Sequence, residues 1–411
     1  MEKLEKRNKI RISYQFEILN LLRKGKRTIT ELADSLKISF TAISHIVEEL
    51  EGERIIKTSN KNKSTKRGRY PAYVELNCDD GVVCSIDFSF LDVRVVIASL
   101  QSEIIVEGTI PGVKYLTKET LGQVEACIKD LLKRPEVNNR KLLSICIACP
   151  GLIRPKNYEI VFSRRLNNSN IIHPVLYFAN AFNVSVEMHN DVRIGCLAEL
   201  KVGAFPKKLN NGLFIVIGPY AGLALVINGK IYQGSNGFSG ETPVYVGDDD
   251  IVANSRWNSR FYSILEIERD IRSNKNTQLP DQDELINVKQ LIENYKKGDK
   301  ETVAAVEESA KRNAITIFGL ATILDIDYIV IGGEILEFGS QYLDLIRRDI
   351  DEFSSSEIRT RILASSLNNE YSTIGSCYQA TSIYFLEAIE ALTKKRFNLS
   401  EFALGEEYRD I

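Results

Sequence analysis

The sequence predicts an α/β protein made of a small α+β head and a larger body in which strands and helices alternate. Three observations lead there. Two short one-faced helices near the N-terminus are separated by a break of about three residues. A stretch rich in cations and free of acids follows, between two short apolar runs. From Val82 onward, apolar runs of strand length alternate with helical patterns.

The chain has 411 residues, room for two or three domains. With 44% hydrophobic and 26% charged residues it is ordinary for a soluble globular protein. No apolar run approaches the ~18 residues of a membrane span. The opening MEKLEKRNKIRIS lacks the apolar core of a signal peptide. Seven cysteines, an odd number, point to reduced thiols and a cytoplasmic location. The net charge of −2 hides an asymmetry. Up to Val74 there are 17 Lys/Arg against 9 Asp/Glu, a net of +8, which leaves −10 for the rest. A basic head on an acidic body suggests that the head meets a polyanion; the alternative is a solvated charged face.

Taking the head in order, Tyr14, Ile18, Leu21 and Leu22 form the stripe of a first helix that Gly25 ends. Thr28 to Glu31 reads as a capping box. Ile29, Leu32, Ala33 and Leu36 then give a one-faced helix. After Lys37–Ser39 comes a third helix with Ile43, Ile46, Val47 and Leu50 inward. Ser39 is a good N-cap, and Thr41, Ser44 and His45 face outward near the helix start, where base edges are read. Many three-helix bundles that bind no DNA share this pattern.

Strands are expected at Ile55–Thr58 and Tyr73–Leu76. Between Lys57 and Arg69 there are six cations (Lys57, Lys61, Lys63, Lys66, Arg67 and Arg69) and no acid. A basic hairpin after a helix-turn-helix is a wing, whose cations neutralise phosphates and whose Gly68 admits the backbone to the minor groove. A disordered basic linker is the alternative.

In the body, three apolar runs from Val82 to Ile110 read as a β-meander. A helix over Leu116–Leu132 and strands at Leu142–Ala148 and Val184–Met188 follow, then a helix over Val192–Gly203. Leu213–Ile217 is a buried strand, Gly218–Gly222 a turn, and Ala224–Ile227 a second strand. Asn228-Gly229 is a type I′ turn pair. Gly234, Gly237 and Gly240 lead to Glu241. Helices are expected over Arg256–Arg272, Asp299–Leu324 and Thr381–Leu392, with a strand at Ile329–Ile331. Three strands, then alternating helix and strand, given twice, is the plan of the two-lobed sugar kinase–actin superfamily.

Several pieces, in order, resemble the ROK family (repressors, open reading frames and sugar kinases). They are Gly68-Arg69-Tyr70-Pro71, ACPGLI at Ala148–Ile153, HNDVRIGCLAELKVGA at His189–Ala204, NGKIYQG at Asn228–Gly234, SGE at Ser239–Glu241 and DYIVIGGEI at Asp327–Ile335. The resemblance covers about the whole chain. It implies a winged helix-turn-helix over 1–78 followed by an actin/sugar kinase-like, ribonuclease H-like ROK domain over 79–411. Gly68–Pro71 resembles the family's wing signature, with Tyr70 inserted.

Kinases of the family hold ATP with a DxGGT loop and a GTGxG loop. The matching residues here are Asp87-Phe-Ser-Phe-Leu91 and Gly218-Pro-Tyr-Ala-Gly222. Phe90 fills space a phosphate needs, Pro219 has no N–H to donate, and Tyr220 is bulky. Asp191 matches the family's general base. Without ATP, Asn190 and Asp191 are left as partners for sugar hydroxyls, with Glu241 and, more weakly, Glu266; helix capping is the alternative for each. Val244 stands near the family's zinc-site His and 242–266 has no cysteine, so no zinc is expected. Cys146 and Cys149 lie in an apolar strand and read as core, and His173 and His189 as ordinary.

The resemblance therefore implies a regulator rather than an enzyme, without cofactor or metal. Ser39, Thr41, Ser44, His45, Lys57, Lys66, Arg67, Gly68 and Arg69 would contact double-stranded operator DNA. A sugar or sugar derivative would bind the body, and the chain would act as a homodimer or dimer of dimers. An ATP-dependent sugar kinase with an accessory head, and a regulator sensing a protein partner, are the alternatives.

Overall fold

The computed structural model describes residues 2–59, 72–90, 92–163, 166, 173–241, 261–274, 287–353 and 360–397. The head opens with α1 (Glu2–Arg23), which buries Ile12, Ile18, Leu19 and Leu22. It continues through β1 (Arg27–Thr28), α2 (Ile29–Leu36), α3 (Phe40–Gly52), β2 (Ile56–Ser59) and β3 (Tyr73–Leu76). The capping box is formed: the Glu31 N–H donates to Thr28 Oγ1 at 3.1 Å and the Thr28 N–H to Glu31 Oε2 at 2.7 Å. Lys37, in the left-handed region at φ 55°, closes α2, and Ser39 Oγ accepts from the Ala42 N–H at 3.3 Å to start α3. Ile43, Ile46, Val47 and Leu50 are buried as their spacing requires. The strands form an antiparallel sheet in the order β1-β3-β2, and β2 and β3 flank the expected wing.

The body contains two five-stranded sheets built on one plan. The first joins β4 (Gly81–Asp87), β5 (Val93–Ala98), β6 (Ile104–Ile110), β7 (Lys141–Cys149) and β10 (Ser185–Asn190) in the order β10-β7-β4-β5-β6. The β4-β5-β6 meander is antiparallel and β7 runs parallel to β4. Between them in sequence lie α4 (Lys118–Leu132), the β8–β9 pair (Leu152–Arg154 and Glu159–Phe162) and α5 (Pro174–Phe182).

After α6 (Asp191–Lys201), the second sheet joins β11 (Gly212–Ile217), β12 (Ala221–Ile227), β13 (Lys230–Tyr232), β14 (Tyr328–Gly332) and β15 (Arg361–Ala364) in the order β13-β12-β11-β14-β15. Again the first three form an antiparallel meander and the fourth is parallel to the first. Asn228 and Gly229 both have positive φ, 53° and 74°, as a type I′ turn demands. The helices α7 (Ile264–Asn274), α8 (Val288–Lys296), α9 (Lys300–Leu324) and α10 (Ser340–Phe353) contribute to the core beside this sheet, with Ile267, Ile292, Ile317 and Ile346 all buried. α11 (Tyr371–Phe397) closes the described chain.

By contacts, the chain divides into two compact units. One takes Met1–Pro150, Phe162–His189 and Ser376–Asp410; the other takes Gly151–Val161 and Asn190–Gly375. The head thus belongs with the first sheet, and α11 fixes it there. Arg23 Nη1 donates to the Tyr378 carbonyl at 2.9 Å and Nη2 to Ser382 Oγ at 2.9 Å. Lys395 and Arg396 pair with Glu53 and Glu49, at the C-terminal end of α3.

Three expectations need correction, and α8 had no expectation. β12 resumes at Ala221, not Ala224, because Ile217 already pairs with Ala221. Asn190, not Asp191, caps α6: its Oδ1 accepts from the Arg193 N–H at 2.9 Å, leaving Asp191 in the first turn. The Asp299–Leu324 helix stands as expected, capped by Asp299, and the stretch before it holds α8, for which there was no expectation; the Lys297 N–H closes α8 onto Glu293. α11 begins at Tyr371, ten residues ahead of the expected Thr381, because Gly375 and the small polar residues around it pack into the interior and carry no apolar stripe.

Candidate nucleic-acid interface and sugar-binding site

At the start of α3, Phe40, Thr41 and His45 are exposed and Ser44 is half-buried. The Ser39 cap fixes the direction of this first turn. His45 Nδ1 lies 3.6 Å from the Glu48 carboxylate. Lys57, on β2, is engaged by an acid: its Nζ donates to Asp79 Oδ2 at 2.7 Å, which raises its pKa. Lys66, Arg67, Gly68 and Arg69 lie outside the described residues.

The candidate sugar residues gather around α6 and the glycine loop before Glu241. Asn190 is nearly buried and holds the Gly151 carbonyl through Nδ2 at 3.1 Å, besides capping the helix. Asp191 is half-buried beside it, and its Oδ1 accepts from the Val192 N–H at 2.9 Å. Two residues on, Arg193 is only 6% exposed. Its Nη2 donates to the carbonyls of Gly237 at 2.9 Å and Ser239 at 3.1 Å, tying the glycine loop to α6. Glu241 lies next to this guanidinium. Desolvation raises the Glu241 carboxyl and Arg193 pulls it back, while its outer edge stays open to solvent.

Glu266 is placed differently. It accepts from the N–H of Ser263 at 3.0 Å and from the Ser263 hydroxyl, closing the first turn of α7. Val244 and most of the expected 242–266 region lie outside the described residues. Among the described residues no cluster of His, Cys, Asp or Glu is arranged to hold a metal, and no helix is long and apolar enough to cross a membrane. Cys146 and Cys149 are buried core residues.

At both phosphate-loop positions, described N–H groups are taken up inside the protein. The Phe88 N–H extends the ladder to the Ala148 carbonyl at 2.9 Å, and the Ser89 N–H donates to Asp87 Oδ1 at 2.9 Å. The Ser89 hydroxyl donates to the same oxygen, so the loop is closed on its own acid. Phe90 is half-buried, and Leu91 is outside the described residues. In the second loop the Gly218 N–H donates to the Tyr220 carbonyl at 2.9 Å, and Pro219 has no N–H. A phosphate needs such donors pointing out. Glu334 adds a further obstacle: its carboxylate packs so closely against Gly218 that a Cβ there would overlap it. Burial raises the Glu334 pKa, and any negative charge it keeps repels an anion.

The sequence reading passed over Arg193, Glu334 and Phe40. Arg193 had a signal available. It is a cation in a stretch, Val192–Ala198, that is otherwise apolar or small and is buried throughout; buried cations have partners.

A family model described as "ROK family" matches residues 83–246 and 262–382, and one described as "Bacterial regulatory protein, arsR family" matches 14–58. A protein named xylose repressor from Caldicellulosiruptor bescii is 22% identical over 361 residues, 84% of this chain and 89% of that one. N-acetylmannosamine kinase from Haemophilus influenzae is 25% identical over 204 residues, 47% of this chain and 65% of the kinase. Among solved structures, a ROK family transcriptional regulator described as a homolog of the E. coli MLC protein superposes with a TM-score of 0.76 at 17% identity, covering 93% of this chain and all of that one. A ROK family glucokinase from Streptomyces griseus, in complex with glucose and AMPPNP, gives 0.61 at 16% identity over 73% of this chain and 99% of the kinase.

Proposed function

The chain belongs to the ROK family, and from that premise we propose that it is a sugar-responsive, DNA-binding repressor of carbohydrate metabolism genes rather than an enzyme. One observation carries this reading: a helix-turn-helix head with an outward-facing α3 start is joined to a sugar kinase-like body in which the Phe88, Ser89 and Gly218 N–H groups of the phosphate-loop positions are spent internally and Pro219 has none. Residues 1–78 bind operator DNA through Ser39, Thr41, Ser44 and His45, with Lys57, Lys66, Arg67, Gly68 and Arg69 on phosphate and minor groove. Residues 79–411 bind the effector, with Asn190, Asp191 and Glu241 taking sugar hydroxyls and Glu266 shaping the wall. The relative named xylose repressor makes a pentose the first effector to try. The chain works as a homodimer or dimer of dimers, one recognition helix per half-site about one DNA turn apart. α11 touches the end of α3, so displacement of α11 by ligand would redirect the reading helix.

The test is a gel shift with the upstream region of the chain's own gene, across a panel of monosaccharides. Sequence-specific retardation that a sugar alters supports the reading. Absence of specific retardation at moderate salt, with every sugar, counts against it.

Asp191 favours a second reading, that of a sugar kinase. It stands in the first turn of α6, half-buried, where the family's kinases keep their base. ATP-dependent phosphorylation of a hexose panel, abolished by Asp191→Asn, would establish it.

A further inference from the structure

Phe40 is the first residue of α3 and is 56% exposed. The inward face of the helix is already supplied by Ile43, Ile46, Val47 and Leu50, each at most 3% exposed. The ring lies outside that core in the turn that Ser39 caps, next to the exposed Thr41 and one turn before the exposed His45. A lone exposed aromatic elsewhere on a surface would need no explanation. Here it is the only large apolar side chain exposed on the described part of the helix proposed to enter the major groove, with Ser39, Thr41 and the small Ala42 as its exposed neighbours in that turn.

We propose that Phe40 is a specificity-determining residue that reads a thymine 5-methyl group in each operator half-site. The major groove offers one apolar feature, the thymine C5 methyl, and an aromatic ring at a recognition-helix tip is a side chain that can cover it. Thr41, Ser44 and His45 supply hydrogen bonds to neighbouring base edges, whereas Phe40 tells thymine from cytosine by contact alone. Covering the methyl desolvates both surfaces and needs no hydrogen bond. This inference rests on the DNA-binding function proposed above.

The experiment uses the full-length protein. Operator duplexes are first selected from a random pool, and each thymine is then replaced in turn by deoxyuridine, which removes only the methyl. The parent protein is expected to lose about fourfold in affinity at one thymine per half-site, the weight of one buried methyl group. Phe40→Ala is expected to bind more weakly and to be indifferent to uridine at that position, while Phe40→Leu keeps part of the penalty. A uridine series that costs the parent nothing, or a penalty that persists unchanged in Phe40→Ala, overturns the inference while leaving DNA binding intact. Failure of the parent to select any duplex overturns the DNA-binding function, and this inference with it.

Discussion

The guanidinium of Arg23, at the end of α1, stacks 3.8 Å from the ring centroid of Tyr378 in α11. Phe385 approaches at 4.8 Å, so the cation is held between two aromatic rings while its Nη atoms bond the Tyr378 carbonyl and Ser382. Desolvated cation–π contacts and charged hydrogen bonds are each worth roughly 2 kcal/mol. Arg23 is thus a pin between head and body.

Arg23→Ala is expected to destabilise the chain by about 3 kcal/mol and to uncouple the head. Hydrogen exchange would show it: α1–α3 amides should exchange faster while those of β11 and β14 keep their protection. Equal acceleration in both would mean that Arg23 only supports global stability.

Arg193 should act through the glycine loop. Arg193→Ala leaves the Gly237 and Ser239 carbonyls without their cation, at a cost of about 3 kcal/mol. Arg193→Lys should recover only part of this, since a single ammonium lacks the fork. Urea unfolding reads the stability, and calorimetry with the effector reads the loop; affinity should fall further than stability alone explains.

Gly240 has φ of 89°, and a Cβ there would run into the Leu223 carbonyl. Gly240→Ala should therefore shift the Ser239–Glu241 segment and weaken sugar binding by at least tenfold. A binding isotherm like that of the parent would remove Glu241 from the sugar site.

Glu199 gives a pH dependence. It is fully buried, accepts from the Ala204 N–H at 2.6 Å and from Ser365, and its carboxyl is raised by desolvation. Below the ordinary carboxylate range, folded and unfolded chains both hold the proton and the residue costs nothing. As pH rises the unfolded chain releases its proton first, so folded stability is lost until pH passes the raised native value. Glu199→Gln keeps an acceptor for Ala204 and supplies a donor for Ser365. Its melting temperature at pH 7 should equal or exceed the parent's, and its stability should vary less from about pH 4 to 7.

These sites differ in how far the sequence discloses them. The Thr28–Glu31 box, the Ser39 cap and the Asn228-Gly229 turn are local patterns, with both partners within four residues, and each stands where its spacing put it. Both meanders were legible as apolar runs between turns, although the glycine-rich Gly218–Gly222 segment hid the first residues of β12. α5 and β15 were not, because nine residues begun by a proline and a four-residue edge strand offer too little periodicity. The carbonyl partners of Arg193 lie over forty residues away, and the hold of Glu334 on Gly218 spans over a hundred. No local pattern carries such pairings. The departures from the family's phosphate loops were readable because they depend on residue type alone: proline cannot donate, and phenylalanine cannot vacate space.

The central claim is that sugar occupancy of the body is read out as DNA affinity without phosphoryl transfer. The most direct measurement is the anisotropy of a labelled operator duplex titrated with full-length protein, with and without each sugar of a pentose and hexose panel, and with ATP and magnesium added in a parallel series monitored for ADP. The account predicts that one sugar changes the Kd by tenfold or more, that ATP changes nothing, and that no ADP forms. Sugar-dependent ADP release, or a Kd that no sugar moves, would contradict it.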